Sequence, residues 1–191
     1  MATDIKEQKL LYHLTDIDNL KSILVDGLMS RSALTNFTDV ADPEIIESRK
    51  SLGLENLVPF HFYGGSPFDG RVQLDNQDKC FVLMTVWRAD AKAKQWKIIP
   101  KHPLAGDDIE LMEYDAGLAA IDWDKMNERD YLDADSKNAC MAECLSEATV
   151  PSDLFHSFYV KTEEDQKRVA GIMDKLNYSR YVNVNEHMFV K

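Results

Sequence analysis

The chain has 191 residues, of which 45% are hydrophobic and 29% charged, and its net charge is −11. This length fits one domain over residues 1–191, and this apolar content is too high for a disordered chain. Three cysteines do not make a disulfide framework, so we expect a reducing, cytoplasmic compartment. No apolar run in the sequence approaches the ~20 residues that span a bilayer, so we expect no membrane association.

The N-terminal part of the chain predicts one strand and two helices. Residues 10–14 form a short apolar run that indicates a buried strand. A helix follows, with Thr15 or Asp16 as its cap and Gly27 at its end. A second helix is predicted over residues 42–53, because it opens on an aspartate cap followed by proline at the first helical position.

The remainder of the chain mixes strands and helices without regular βαβ spacing. A helix is predicted over residues 162–177, and residues 139–145 fit either a strand or a helix. Further strands are predicted at residues 57–63, 80–87, 97–99, 155–160 and 181–190. This order favours a mixed α+β fold over a doubly wound one.

The charges are unevenly distributed along the chain. Residues 79–101 carry six basic side chains against Asp90 alone, whereas residues 104–135 carry eleven acidic ones against Lys125 and Arg129. The basic segment is either a track for a phosphate backbone or one of two solvated faces of opposite sign.

Common catalytic and cofactor motifs are absent from the sequence. It contains no glycine-rich dinucleotide or phosphate loop and no nucleophile elbow around a serine. The histidines are scattered, and Cys140 and Cys144 alone do not make a zinc set, so we expect no metal and two small buried thiols.

Two polar residues at the end of the first strand are the first candidate site. His13 and Thr15 stand two positions apart, so their side chains project to the same face of a strand. They either bind one polar ligand such as a ribose, or they serve as a satisfied strand-end histidine and a helix cap.

Arg49 and Glu143 are the other candidates. Arg49 borders the apolar face of the second predicted helix, where its guanidinium either holds phosphate or lies on the surface. Glu143 is flanked by small and apolar residues, so it is either desolvated and functional or on the solvent side of a half-buried element, with Glu147 as a rival.

Taken together, these pieces resemble the DarT family, the toxin half of DarT–DarG toxin–antitoxin systems. Those proteins are NAD⁺-dependent ADP-ribosyltransferases that modify a base in single-stranded DNA. The resemblance rests on LYHLTDIDNLKSILVDGL at residues 11–28, ADPEIIESRK at 41–50, LVPFHF at 57–62, LAAIDWDKM at 118–126 and MAECL at 141–145.

The resemblance implies an ADP-ribosyltransferase-like fold with central mixed or antiparallel sheets flanked by helices. It implies that Glu143 and Arg49 are catalytic, and that NAD⁺ is a co-substrate, with residues 118–126 leading to the loops that present the acceptor. The residues expected to bind NAD⁺ are His13, Thr15, Asn19, Arg49 and His61.

The partners implied by the family are single-stranded DNA and a DarG-like antitoxin. In this chain His61 stands where the family often has a second aromatic residue. The acidic charge keeps two other functions open, namely transfer to RNA or protein, and a binding module without catalysis.

Overall fold

A computed structural model describes residues 4–34, 50, 53–103 and 110–190 of the chain. Eight strands lie in one sheet within these ranges. The strands are β1 (Leu10–Asp16), β2 (Val58–His61), β3 (Phe81–Trp87), β4 (Lys97–Ile99), β5 (Met112–Glu113), β6 (Glu143–Ser146), β7 (Ser157–Val160) and β8 (Tyr181–Val184).

The strand order is β5-β4-β6-β2-β1-β3-β7-β8. Neighbouring strands are antiparallel except β7 and β8, which run parallel. A mixed sheet of this kind with helices between its strands confirms the predicted α+β class.

The described helices pack around this sheet and connect its strands. They are α1 (Leu20–Asp26), α2 (Pro67–Asp75), α3 (Arg88–Ala93), α4 (Tyr114–Ala120), α5 (Trp123–Glu128), α6 (Ala134–Cys140) and α7 (Glu163–Lys175). Ser66 and Asp69 form a reciprocal capping box at the start of α2, and Thr162 caps α7 as the sequence predicts.

The sheet has an apolar layer on each face. Leu11, Phe60 and Met84 belong to the larger core cluster on one face. Tyr12 and Leu83 belong to a smaller cluster on the other. Residues 81–86 of β3 are all buried, which is why that strand reads as a continuous apolar run in the sequence.

Most predicted elements are confirmed, and the structure settles two open alternatives and shortens one strand. Asp16 rather than Thr15 caps the turn before α1, because its carboxylate accepts the Asp18 N–H at 2.9 Å. The ambiguous residues 139–145 divide into the end of α6 and the start of β6. The last strand stops at Val184, so the predicted span of residues 181–190 is too long.

The helix predicted over residues 42–53 lies almost entirely outside the described residues.

Arg88 is a structural residue, so it does not contribute to the phosphate track that is one of the two interpretations of residues 79–101. Its buried guanidinium lies 5.1 Å from the Phe62 ring centre and 5.6 Å from that of Trp123. It donates to the backbone carbonyls of Ile5, Lys6, Leu10 and Phe62. Two further members of the segment, Lys92 and Lys97, form ion pairs with carboxylates of the acidic segment.

Replacing Arg88 with methionine tests this role. Arg88→Met keeps much of the aliphatic stem but leaves four backbone carbonyls without their donors, so we expect the free energy of unfolding to fall by about 3 kcal/mol. Denaturant unfolding measures the change. Lys94→Met, at the exposed end of the same helix, is the control and should change stability by less than about 0.5 kcal/mol. Equal effects of the two substitutions would contradict the assignment.

Candidate active site

The strands β1 and β2 separate after a single residue pair. Tyr12 pairs with His61, whereas β1 pairs with β3 along all seven of its residues. Just beyond that pair, the His13 Nδ1 lies 2.7 Å from the carbonyl oxygen of Pro59 on β2. A carbonyl only accepts hydrogen bonds, so Nδ1 carries the proton and the His13 imidazole links the two strands where their ladder ends.

Thr15 and Asn19 follow His13 along the chain, on the same side of this opening. Thr15 is buried near the end of β1 and shares a face with His13, as the sequence predicts. Asn19 stands at the N-cap position of α1 but does not cap the helix, and its Nδ2 donates instead to the Thr15 hydroxyl at 3.3 Å. The two side chains therefore present one linked set of hydrogen-bonding groups.

Glu143 is the first residue of β6, directly after the chain leaves α6. It pairs with His61 of β2 on one side and with Ile99 of β4 on the other. Directly opposed residues of antiparallel strands point to the same face, with Cβ atoms about 5 Å apart. The structure thus brings Glu143 and His61 together, and both side chains are buried.

The strand register separates the predicted site residues into two groups. Tyr12 pairs with His61, which pairs with Glu143, so these three side chains share one face of the sheet. His13 and Thr15 alternate with Tyr12 along β1 and point to the opposite face. The backbones of Tyr12 and Glu143 are two strand spacings apart, roughly 10 Å. A ligand that touches both groups must therefore lie across the opening between β1 and β2.

Arg49, the remaining predicted residue, lies outside the described residues. Three aromatic residues lie on β1 and on or directly after β2, namely Tyr12, Phe60 and Phe62. All three are buried in the two core clusters, so each contributes to packing.

Asp69 is a residue of this region that our sequence analysis missed. It is fully buried in α2, and its Oδ2 accepts the N–H groups of Gly65 and Ser66. Burial raises the pKa of the Asp69 carboxyl, and the nearby His61 partly opposes the rise. The signal was present in the sequence, because serine followed three residues later by a carboxylate is a capping-box pattern.

The segment that precedes Glu143 is fastened to the residues that follow β2. The Arg129 guanidinium lies 4.8 Å from the Tyr63 ring centre, and the Tyr63 and Tyr131 hydroxyls are 3.2 Å apart. Burial raises the pKa of the Tyr63 hydroxyl, so it serves as a neutral hydrogen-bonding group. Leu132, which follows Tyr131 in the chain, is 99% exposed and leaves an apolar tip on the surface of this segment.

The family of the chain follows from its sequence match. A family model described as "DarT: ssDNA thymidine ADP-ribosyltransferase, DarT" matches residues 12–190. The chain belongs to the DarT family. Its predicted family membership is confirmed, and no curated protein matches the chain.

Solved structures of DarT proteins have the same fold. Thermus sp. 2.9 DarT in complex with ADP-ribosylated ssDNA aligns over 100% of both chains, with a TM-score of 0.85 and 20% identity. Thermus sp. 2.9 DarT in complex with NAD⁺ aligns over 96% of this chain and 98% of its own, with a TM-score of 0.80 and 17% identity.

A third similar structure is Thermosipho africanus DarTG in complex with ADP-ribose, with a TM-score of 0.78 and 21% identity. The match covers 95% of this chain and 51% of that one, so the chain spans about half the length of the Thermosipho protein.

The described part of this DarT-family chain has few features that suggest other chemistry. No group of three or more His, Cys, Asp or Glu side chains there is arranged to hold a metal ion. Burial raises the pKa of the Cys144 thiol, which disfavours the nucleophilic thiolate. Within the same ranges, no helix combines the length and apolar character needed to cross a bilayer.

A cavity of about 570 Å³ lies away from the predicted DarT site residues. Trp87, Arg180 and Tyr181 are among the residues that line it. Trp87 pairs with Leu10 at the start of β1, whereas Thr15 is near the end of that strand. The cavity is therefore separate from the opening between β1 and β2.

The Thr15 hydroxyl offers a conservative test of the opening. Thr15→Val keeps the shape of the side chain but removes the group to which Asn19 donates, so we expect the affinity for NAD⁺ to fall about tenfold. Isothermal titration with NAD⁺ measures the change. Thr149→Val makes the same substitution at an exposed position and should leave the affinity unaltered. An unchanged affinity for Thr15→Val would remove Thr15 from the site.

Proposed function

We propose that this chain transfers ADP-ribose from NAD⁺ to thymidine in single-stranded DNA, with Glu143 as its catalytic carboxylate. Membership of the DarT family supports the reaction class. The observation that supports the site is the strand register, which sets Glu143 on the strand next to β2 and so two strands from β1, which carries His13 and Thr15. The solved Thermus DarT complexes contain NAD⁺ in one case and ADP-ribosylated ssDNA in another, which agrees with both substrates.

The His13 side of the opening binds NAD⁺ in this proposal. The Pro59 carbonyl accepts the Nδ1 proton of His13, and Nε2 of the same ring is proposed to form a hydrogen bond with a ribose hydroxyl. Thr15 and Asn19 add a hydroxyl and an amide to the same wall. Arg49 is proposed to neutralise the pyrophosphate, since a guanidinium binds phosphate through a fork of donors.

Glu143 acts on the bond that breaks. Cleavage of the nicotinamide–ribose bond releases neutral nicotinamide and builds positive charge on the ribose. A fixed carboxylate in a buried setting stabilises that charge more strongly than water does, because no solvent must reorganise. Glu143 meets this requirement, since it is 6% exposed and set at the start of a strand with neighbours on both sides.

The acceptor must lose one proton. Thymine in DNA has a single ring N–H, and attachment of ADP-ribose to the base yields a neutral product only when that proton leaves. Glu143 or Arg49 is proposed to take part in its removal. The tip at Tyr131 and Leu132 is exposed beside the residues that follow β2, and its Tyr131 ring is proposed as a surface on which an unpaired base stacks.

The proposal also covers the cellular compartment of the protein and its protein partner. We place the chain as a single domain in the cytoplasm, and its three free cysteines agree with a reducing compartment. A DarG-like antitoxin is its proposed partner. The Thermosipho DarTG structure, which extends beyond the matched region, agrees with such a pairing.

Replacing Glu143 with glutamine tests its assignment as the catalytic carboxylate. Glu143→Gln keeps the size of the side chain but removes its charge, so we expect the rate of oligonucleotide labelling from tagged NAD⁺ to fall about 100-fold or more. Glu147→Gln is the matched control, because Glu147 is the exposed rival one residue beyond β6. If the Glu147 variant loses activity and the Glu143 variant keeps it, the assignment is wrong.

Oligonucleotides of defined base composition test the acceptor. After incubation with NAD⁺, mass spectrometry should find one added ADP-ribose on single strands that contain thymidine and none on matched strands without it. RNA and lysate protein are offered in parallel. Modification of either one without modification of DNA would replace thymidine as the acceptor, and no nicotinamide release under any condition would favour a binding module.

A further inference from the structure

The cavity lined by Trp87 and Tyr181 takes no part in the transfer reaction proposed above. Its walls come from the end of β3, the start of α3 and the segments that lead into β7 and β8. Its volume of about 570 Å³ falls within the range of roughly 300–1,000 Å³ that is typical of small-ligand sites. The side chains that line it indicate which kind of ligand fits.

Aromatic rings form one wall of the cavity. Trp87 is 37% exposed, although the other residues of β3 are buried. Its ring lies 4.2 Å, centre to centre, from the ring of His156, and Tyr181 at the start of β8 is 77% exposed. An accessible indole that packs against a second ring offers a flat surface on which a planar ligand stacks.

Charged groups of both signs complete the lining. The Asp90 and Asp153 carboxylates form no ion pair within the part of the chain that the structure describes. The Arg180 guanidinium donates to the backbone carbonyls of Phe155, Ser179 and Asp153, at 2.7, 2.8 and 3.0 Å. These bonds fix its position and leave two of its five N–H groups for a ligand.

This combination favours a neutral, planar ligand with donors and acceptors on its edges. A phosphate would leave the two carboxylates without a donor, and a cationic side chain would leave the guanidinium without an acceptor. A nucleobase with an exocyclic amino group satisfies both, because the amino group donates to a carboxylate and the other edge atoms accept from arginine. Adenine, cytosine and guanine carry such a group, whereas thymine does not.

Trp87 lies on the face of the sheet that carries Glu143. Tyr12 opposes both His61 and Thr85, and His61 opposes Glu143, so these side chains point to one face. Trp87 is two residues beyond Thr85 on β3 and therefore points to that face as well.

Tyr181 extends this face to the edge of the sheet. It pairs with Ser157, whose hydroxyl lies 2.9 Å from that of Thr85. The backbones of Trp87 and Glu143 are three strand spacings and two residues apart, which is roughly 16 Å. At about 3.4 Å per nucleotide of a stacked DNA strand, this separation corresponds to about five nucleotides. One short oligonucleotide is therefore long enough to reach both places.

We propose that the cavity binds an unpaired base with an exocyclic amino group, several nucleotides away from the thymidine that is modified. Trp87 stacks on this base, Asp90 and Asp153 accept its amino hydrogens, and Arg180 donates to its acceptor atoms. The inference rests on the proposed function, because it adds a second contact to the DNA strand whose thymidine reacts beside Glu143.

Removal of the aromatic wall tests the stacking contact. We expect Trp87→Ala to weaken the binding of a cytidine-rich single strand with one thymidine about tenfold, and Tyr181→Ala about threefold, because stacked bases contribute to affinity. Trp87→Phe keeps an aromatic ring and should stay within about twofold of wild type. Val25→Ala, which shortens an exposed apolar side chain on α1, is the control and should bind like wild type. Fluorescence anisotropy of the labelled oligonucleotide, without NAD⁺, measures the affinity.

A second comparison tests the base preference. Wild type should bind the cytidine-rich strand about tenfold more tightly than a strand of thymidines alone, because cytosine donates to the carboxylates and thymine does not. The double variant Asp90→Asn/Asp153→Asn should lose this preference. Asp26→Asn/Asp78→Asn changes the net charge equally at exposed positions and should keep it.

Tryptophan fluorescence locates the bound base. Trp87 is the most exposed of the three tryptophans, since Trp96 and Trp123 are 4% and 9% exposed. The cytidine-rich strand should quench wild-type fluorescence saturably, and Trp87→Phe should lose this quenching while it keeps its affinity. Equal affinity for free deoxycytidine and for the strand would make the cavity a small-molecule site and overturn the proposal. Quenching by an oligo-arginine peptide but not by DNA would overturn it in favour of a cationic partner.

The outcomes separate the cavity from the reaction. A wild-type chain that labels thymidine, together with Trp87→Ala and Tyr181→Ala variants that bind the strand as tightly as wild type, would overturn the role of the cavity alone. A wild-type chain that labels no acceptor would refute the proposed function, and the binding comparison would still decide the role of the cavity. If Trp87→Ala does not fold, Tyr181→Ala decides it, because that side chain is largely exposed.

Discussion

The separation of β1 from β2 is the constraint on which the site depends. Both strands remain fully paired on their other sides, to β3 and β6, so the sheet stays continuous around a local opening. The hydrogen bond from His13 to the Pro59 carbonyl links the strands at the edge of that opening. Because His13 points to one face and Glu143 to the other, we propose that the opening is the route by which one dinucleotide reaches both.

The basic side chains between residues 79 and 101 are poorly placed to form a long track for a DNA backbone. Arg88 is committed to backbone carbonyls in the core, and Lys92 and Lys97 are paired with acids. Recognition of a single strand is then expected to rely on stacking at the tip that carries Tyr131 and on few phosphate contacts. Such a surface agrees with a chain of net charge −11.

The sequence was sufficient for most of the fold because its local signals agree with the tertiary environment. The apolar run of β3, the cap at Thr162 and the shared face of His13 and Thr15 all follow from residue pattern. Pattern could not reveal the pairing of His61 with Glu143, since strand register is a long-range property. It likewise gave no sign that Arg88 is buried, because its partners are backbone groups more than twenty residues away.

A crystal structure of the chain with carba-NAD⁺ tests the central claim most directly. The ligand should pass through the opening between β1 and β2, with hydrogen bonds to His13 or Thr15 at one end and the Glu143 carboxylate beside the nicotinamide ribose at the other. A ligand confined to one face of the sheet, or one seated in the cavity lined by Trp87 and Tyr181, would contradict the account.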